Sequence, residues 1–281
     1  MSGESVRVED LVFDVDVSGA DTGTAVLLLH GFPETKASWR SVTDRLGAAG
    51  LRTIAPDQRG YSPGARPVAV DDYRIDRLVA DALGLLDALA VTDAHVVGHD
   101  WGAIVAWFLA ARHPERVRTL TAVSVPHPAA FGWALRVDAD QQQRSSYITL
   151  LRQEGKAEDL LLADGAQRLR AMFGGAVDAR LVDEHVALLT EPGALTAALG
   201  WYRAMTADFA ALAPVTVPTT YVWSTEDVAL GRAGAERCGE YVTGPYRFVE
   251  LSGVTHWIPE QAPAELTEAV LARIAESDRS E

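Results

Sequence analysis

The stretch AHVVGHDWGAIVAWF, residues 94–108, decides how the chain is read. HVVG (95–98) is a short continuous apolar run, as in strands buried on both faces. The apolar run from Ala103 to Ala111 continues as a helix. Between them stands Gly98-His99-Asp100-Trp101-Gly102, with a glycine on either side of a central aspartate. A strand that turns directly into a helix leaves no room for side chains beside the exposed residue at the turn, so glycine is needed at these two places. This is the form of a nucleophile elbow, with Asp100 where a serine would stand. Taken alone, the five residues also suit an aspartate that merely caps a helix.

Working outward, AVLLL (25–29) is a second buried-strand run and leads into His30-Gly31-Phe32-Pro33. A loop there supplies one backbone N–H of an oxyanion hole, assigned to Phe32, and the residue after the central aspartate, Trp101, supplies the other. An ordinary turn of Gly and Pro is the plainer alternative. Downstream, Asp227 lies just past TTYVW (219–223) and His256 just past YRFVEL (246–251). Both therefore fall at strand carboxyl ends, where catalytic loops gather, in the order nucleophile, acid, histidine. Glu226 adjoins Asp227 and is the alternative acid. His30 and His99 flank loops without an evident partner, His95 starts a strand, His113 ends a helix, His127 sits between prolines and His185 lies on a helix. No CxxC or HExxH spacing occurs, so neither a metal nor another cofactor is expected.

The remaining pattern is of the α/β class. RTIA (52–55) and LTAVSV (120–125) repeat the buried-strand signature between helical segments, which implies βαβ crossovers and a mostly parallel sheet. Alternating apolar positions from Val6 to Val17 predict an opening antiparallel hairpin. Between about His127 and Pro214 the strand signal disappears, and QQQRSSYITLLRQEG, AEDLLLADGAQRLRAMF and GALTAALGWYRAM read as helices. Such a block between two strands of one sheet would cover the strand ends as a lid. The expected division is core over 1–126, helical cap over 127–213 and core again over 214–281, with a terminal helix from about Pro263.

Composition narrows the partners. A formal net charge of −14 argues against nucleic acid, which needs a basic footprint. The single cysteine, Cys238, excludes an internal disulfide framework and suits a reducing compartment, so the cytoplasm is the expected location. MSGESVRVED lacks the basic and apolar regions of a secretory signal, and Ala103–Ala111 is too short to cross a bilayer. Small uncharged ligands are expected.

HGFP (30–33), DQRGYS (57–62), GHDWG (98–102), STED (224–227) and THW (255–257), in this order over nearly the whole chain, resemble the epoxide hydrolase branch of the α/β-hydrolase superfamily. The resemblance implies an α/β-hydrolase fold and a cofactor-independent conversion of an apolar epoxide and water to a vicinal diol. Asp100 would form an alkyl ester, and His256, oriented by Asp227, would activate the water that cleaves it. Tyr147 in RSSYITLL and Tyr202 in GWYRAM match the positions of two tyrosines that hold and protonate the epoxide oxygen. The segment around Tyr147 is less aromatic than its family counterpart, so the match there can slip by a residue, and either tyrosine can instead be a core residue. Phe32, Trp101, Phe131, Trp133 and Trp257 suggest an apolar pocket tolerant of aromatic substrates. The nearest rival activity is haloalkane dehalogenation, but those enzymes typically carry Asn where this chain has Phe32 and lack the tyrosine pair. A fluoroacetate dehalogenase would want arginine beside the nucleophile, a serine esterase is disfavoured by aspartate at the elbow, and a non-catalytic ligand receptor on the same fold is the alternative from another class. The physiological substrate and the oligomeric state, a homodimer included, are left open.

Overall fold

The computed structural model describes residues 2–279. Eight strands form one sheet: β1 (Ser2–Val8), β2 (Leu11–Ser18), β3 (Ala25–Leu29), β4 (Arg52–Pro56), β5 (Ala94–His99), β6 (Val117–Val123), β7 (Thr219–Glu226) and β8 (Tyr246–Thr255). Their order is β1-β2-β4-β3-β5-β6-β7-β8. β1 and β2 are the expected hairpin, with Val6 opposite Phe13, and β2 also runs antiparallel to β4. Every other pairing is parallel.

The helices are α1 (Arg40–Ala48), α2 (Ile75–Ala88) and α3 (Trp101–Arg112), then α4 (Pro128–Val137), α5 (Ala139–Arg144), α6 (Tyr147–Leu151), α7 (Lys156–Ala171), α8 (Ala179–Leu189) and α9 (Ala194–Arg203), and finally α10 (Arg232–Arg237), α11 (Ile258–Gln261) and α12 (Pro263–Asp278). The unbroken apolar run of β3 follows from their placement. Leu27 and Leu29 face one core with residues of α2 and α3, while Val26 and Leu28 face a second core with residues of α1 and α12. With period-two alternation and both faces covered, every position of the strand is buried. Each such aliphatic side chain contributes about 1.5–3 kcal/mol through burial.

Between β6 and β7 the described elements are all helical. AEDLLLADGAQRLRAMF, read from sequence as one helix, is broken at Ala163–Ala166, where Asp164, Gly165 and Ala166 have φ of 52°, 69° and 62°. Asp-Gly is turn chemistry set inside a helical pattern, and here it prevails. The helical block is fastened to the sheet side by the Trp201 indole N–H, which donates to the Arg59 carbonyl at 2.9 Å, by the Thr35 N–H, which donates to His185 Nδ1 at 3.1 Å, and by Arg144, which donates to the Asp227 carbonyl. Among the described residues no helix is long and apolar enough to cross a membrane.

Candidate active site

Asp100 occupies the turn from β5 into α3 with φ 51° and ψ −119°, a conformation costly for any residue but glycine. The surrounding glycines are obligatory for steric reasons. A Cβ on Gly98 would lie 2.2 Å from the Gly102 carbonyl oxygen, one on Gly102 would lie 2.0 Å from the Leu29 carbonyl oxygen, and one on Gly31 would lie 2.4 Å from the Asp100 side chain. The Asp100 carboxylate makes no capping bond to α3. Instead its Oδ1 accepts the Phe32 N–H at 2.9 Å. The Trp101 N–H, at the first position of α3, lies outside that helix's own hydrogen-bond ladder.

His256 follows β8 and stands between two carboxylates. Its Nδ1–H donates to Asp227 Oδ2 at 2.9 Å, and its Nε2 is 3.6 Å from Asp100 Oδ2. Asp227 Oδ1 accepts the N–H groups of Ala229 and Leu230 at 2.8 and 2.9 Å, which fixes the carboxylate against rotation. Burial alone would raise the Asp227 pKa, but His256 and these amides outweigh it and hold it below the usual range. Burial alone would likewise lower the pKa of His256, and here Asp227 and then Asp100 outweigh it, lifting it well above the ordinary imidazole value. The resting site therefore holds an imidazolium between two acids. Glu226, the other acid weighed, is exposed at the end of β7.

A cavity of about 220 Å³ opens over Asp100 and His256 and is walled by Phe32, Trp257, Tyr147 and Tyr202, with Met172, Val228 and Ala229 completing it. Tyr147 begins α6 and Tyr202 lies near the end of α9. Their rings are 6.4 Å apart, and Tyr202 packs edge-on against Phe32 at 5.5 Å and Trp101 at 5.1 Å. Burial first, and the nearby Asp100 charge among the other causes, push both phenols above their usual pKa, so both hydroxyls carry protons at neutral pH. The arrangement sets a carboxylate oxygen, an imidazole and two phenolic O–H groups around one small apolar space.

Residues 24–263 match the family model described as the alpha/beta hydrolase fold. The chain is 34% identical to Epoxide hydrolase A of Mycobacterium tuberculosis, over 90% of this chain and 91% of that one. It is 34% identical to the AB hydrolase superfamily protein YfhM of Bacillus subtilis, over 95% of each. Among solved structures it resembles Epoxide Hydrolase A from Mycobacterium thermoresistibile, with 31% identity, a TM-score of 0.86 and 98% of each chain covered. The chain belongs to the α/β-hydrolase family, in its epoxide hydrolase branch.

Within this α/β-hydrolase three aromatic residues expected at the pocket do not line it, and the first, Trp101, packs edge-on against Tyr202 at 5.1 Å. Phe131 lines a separate apolar cavity of about 150 Å³ with Ile104, Val125 and Phe209, and Trp133 lies beneath the Arg237 guanidinium at 4.3 Å. Residues two apart on a helix point in nearly opposite directions, so α4 cannot present both to one site. Conversely, Met172, Val228 and Ala229 line the cavity without any motif to mark them. His99, which shows no partner in sequence, is a buried bridge: its Nδ1 meets Glu34 Oε2 at 2.7 Å and its Nε2–H donates to the His256 carbonyl at 2.9 Å. His30 is neutral, lowered to about 4 by burial, and accepts the Gln58 N–H at Nε2 while its Nδ1–H donates to the Gly31 carbonyl. The one acidic residue between β3 and α1, Glu34, is the signal the sequence offers for this network.

Proposed function

We propose that the protein is an epoxide hydrolase, converting a small apolar epoxide and water to a vicinal diol through an alkyl ester on Asp100. The observation that carries this reading is the division of labour between the two Asp100 oxygens. Oδ1 rests on the Phe32 N–H, where a carbonyl oxygen would develop negative charge, and this leaves Oδ2 as the attacking atom. Oδ2 attacks an epoxide carbon, the C–O bond breaks, and the leaving alkoxide takes a proton from Tyr147 or Tyr202, whose high pKa keeps them protonated until that moment.

Alkylation cancels the Asp100 charge. His256 then loses one of the two partners that raised its pKa, and its proton passes by way of water to the tyrosine phenolate, which restores the phenol and leaves a neutral ring able to act as a base. It deprotonates a water that attacks the Asp100 carbonyl carbon, with the Phe32 and Trp101 amides receiving the oxyanion. Collapse breaks the bond between the Asp100 carbonyl carbon and Oδ2, the imidazolium protonates Oδ2, and the diol departs with it, while the water oxygen stays on Asp100, whose remaining proton returns to His256.

The test is a single turnover in 18O-water with enzyme in excess over styrene oxide. Unlabelled diol and label in the peptide containing Asp100 are expected. Fully labelled diol would replace the ester route by direct attack of water, and halide release from haloalkanes without diol from epoxides would replace the epoxide reading altogether.

A further inference from the structure

Beneath His256 two glutamates from distant parts of the chain meet in the core. Glu34, from the loop after β3, has a fully buried side chain, and that of Glu260, on α11, is 4% exposed. Glu34 Oε2 accepts the Gly31 N–H at 3.1 Å as well as His99 Nδ1–H. Glu34 Oε1 and both oxygens of Glu260 meet no N–H or O–H group of another described residue, and the two carboxyl groups lie within hydrogen-bond reach of each other. Ionised carboxylates only accept. Two of them in contact away from water are compatible only if one holds a proton.

Charge balance places that proton. Glu34 Oε2 has the Gly31 N–H and His99 Nδ1 as partners, whereas neither oxygen of Glu260 has a donor from another described residue, so the anion is held on Glu34. A second anion beside it would be an uncompensated buried charge. Glu34 is the anion, because His99 outweighs its burial and holds its pKa below the usual range, whereas burial and then Glu34 push Glu260 well above it. His185 supplies no compensating cation: burial lowers it to about 4, its Nδ1 is taken by Thr35, and its Nε2 stays 3.9 Å from Glu260.

We propose that Glu34 and Glu260 share one proton, carried by Glu260, and that Glu260 is thereby a positioning residue for hydrolysis of the Asp100 ester. Its O–H fixes Glu34. Glu34 in turn ties the Gly31 amide, next to the oxyanion donor Phe32, to His99, which holds the His256 carbonyl together with the Ser124 hydroxyl at 3.2 Å. One carboxylate thus registers the oxyanion donor against the base. The kinetic part of this inference rests on the proposed ester mechanism, whereas the shared proton does not.

Infrared difference spectroscopy of wild type against Glu260→Gln decides the proton without substrate. At pH about 8, where Asp57, raised to about 6 by burial, is ionised, wild type should show a carboxylic-acid C=O band that the variant lacks. Absence of that band overturns the proposal whatever the substrate is. For the positioning role, Glu260→Gln, which supplies N–H in place of O–H, should keep single-turnover ester hydrolysis within about threefold of wild type. Glu260→Leu should slow that step about tenfold or more and leave alkylation within about twofold. Equal slowing of both steps in Glu260→Leu, or of ester hydrolysis in both variants alike, would reduce Glu260 to a structural residue.

Discussion

The two walls of the cavity are built differently. On the sheet side, Phe32, Asp100, Asp227 and His256 each follow a strand, and each is tied by hydrogen bonds into the backbone framework: Phe32 N–H to Asp100, the Ala229 and Leu230 amides to Asp227, and the His256 carbonyl to His99 and Ser124. On the helical side, Tyr147, Met172 and Tyr202 come from three separate segments, and the tyrosines are located chiefly by ring packing. Hydrogen bonds to backbone fix an atom to within a few tenths of an ångström, whereas ring packing tolerates sliding. The bond making and breaking proposed at Asp100 needs the first kind of control. Proton donation to an oxygen of variable position is served by the second, especially with two donors available.

If the contrast is right, the largest effects lie on the sheet wall. Asp100→Ala removes the oxygen proposed to attack the epoxide and should lower kcat/KM by on the order of 10⁴-fold or more, measured as diol formation. His256→Gln should reduce steady-state turnover by about 10³-fold while leaving alkylation intact, because only ester hydrolysis needs the base. Intact mass after mixing with epoxide should then show the mass of one substrate added per chain. Normal turnover in His256→Gln would mean that the base lies elsewhere and that the sheet wall is less tightly organised than its hydrogen bonds suggest.

A pH experiment sharpens the same point. His256 is held above its ordinary pKa by Asp227 and Asp100 together, so it is protonated in the free enzyme at neutral pH. Once Asp100 is esterified, only Asp227 raises it, and the pKa falls. Ester hydrolysis requires the neutral ring and so should rise with pH through this lower value. The acid limb of single-turnover ester decay should therefore lie below the pH at which His256 titrates in the free enzyme, as followed by NMR. Coincidence of the two would show that Asp100 contributes nothing to the charge on His256.

The same division governs what could be read from sequence. AVLLL marked β3 to the residue, because a strand covered on both faces admits little but aliphatic side chains. The elbow was legible because its backbone leaves no space for side chains at Gly98 and Gly102, a local steric demand that any such turn must meet. Helical periodicity, by contrast, reports that a helix has a buried face but not what that face meets. Tyr147 and Tyr202 therefore come to notice only through family resemblance, and Trp101, Phe131 and Trp133, expected at the pocket, do not line it. The Glu34–Glu260 pair was illegible for another reason: its partners are far apart in sequence and neither belongs to a chemical motif. Asp227 and Glu226 are adjacent and chemically alike, and only the fold at the end of β7, which exposes Glu226 and buries Asp227 just beyond the strand, separates them.

Effects on the helical wall should be graded. General acid catalysis is worth about 10²–10⁴-fold, and two phenols sharing one oxygen partly compensate for each other. Tyr147→Phe or Tyr202→Phe alone should slow alkylation about tenfold, and the double variant about 10³-fold, with hydrolysis of preformed ester unaffected. Wild-type alkylation in Tyr147→Phe beside an inactive Tyr202→Phe would show that a single donor acts and that the packing on this wall is less tolerant than argued.

The smallest effect is expected at Trp133, which tests how far the helical wall extends. It is half-buried under Arg237 rather than turned into the cavity, and α4 presents Phe131 on the opposite side. Trp133→Ala should cost about 1 kcal/mol of stability, from the cation–π contact and the covered ring surface, seen as a lowered midpoint in denaturant. Its kcat/KM for aromatic epoxides should remain within about twofold of wild type. These two readouts separate a residue that holds the wall up from one that forms it. A rise in KM of about fivefold or more for bulky aromatic epoxides, with small aliphatic epoxides unchanged, would mean that substrate reaches past Tyr202 to α4. The wall governing substrate size would then be wider than the side chains now lining the cavity, and the looser packing there would have a function of its own, admitting rings that the sheet wall has no freedom to accommodate.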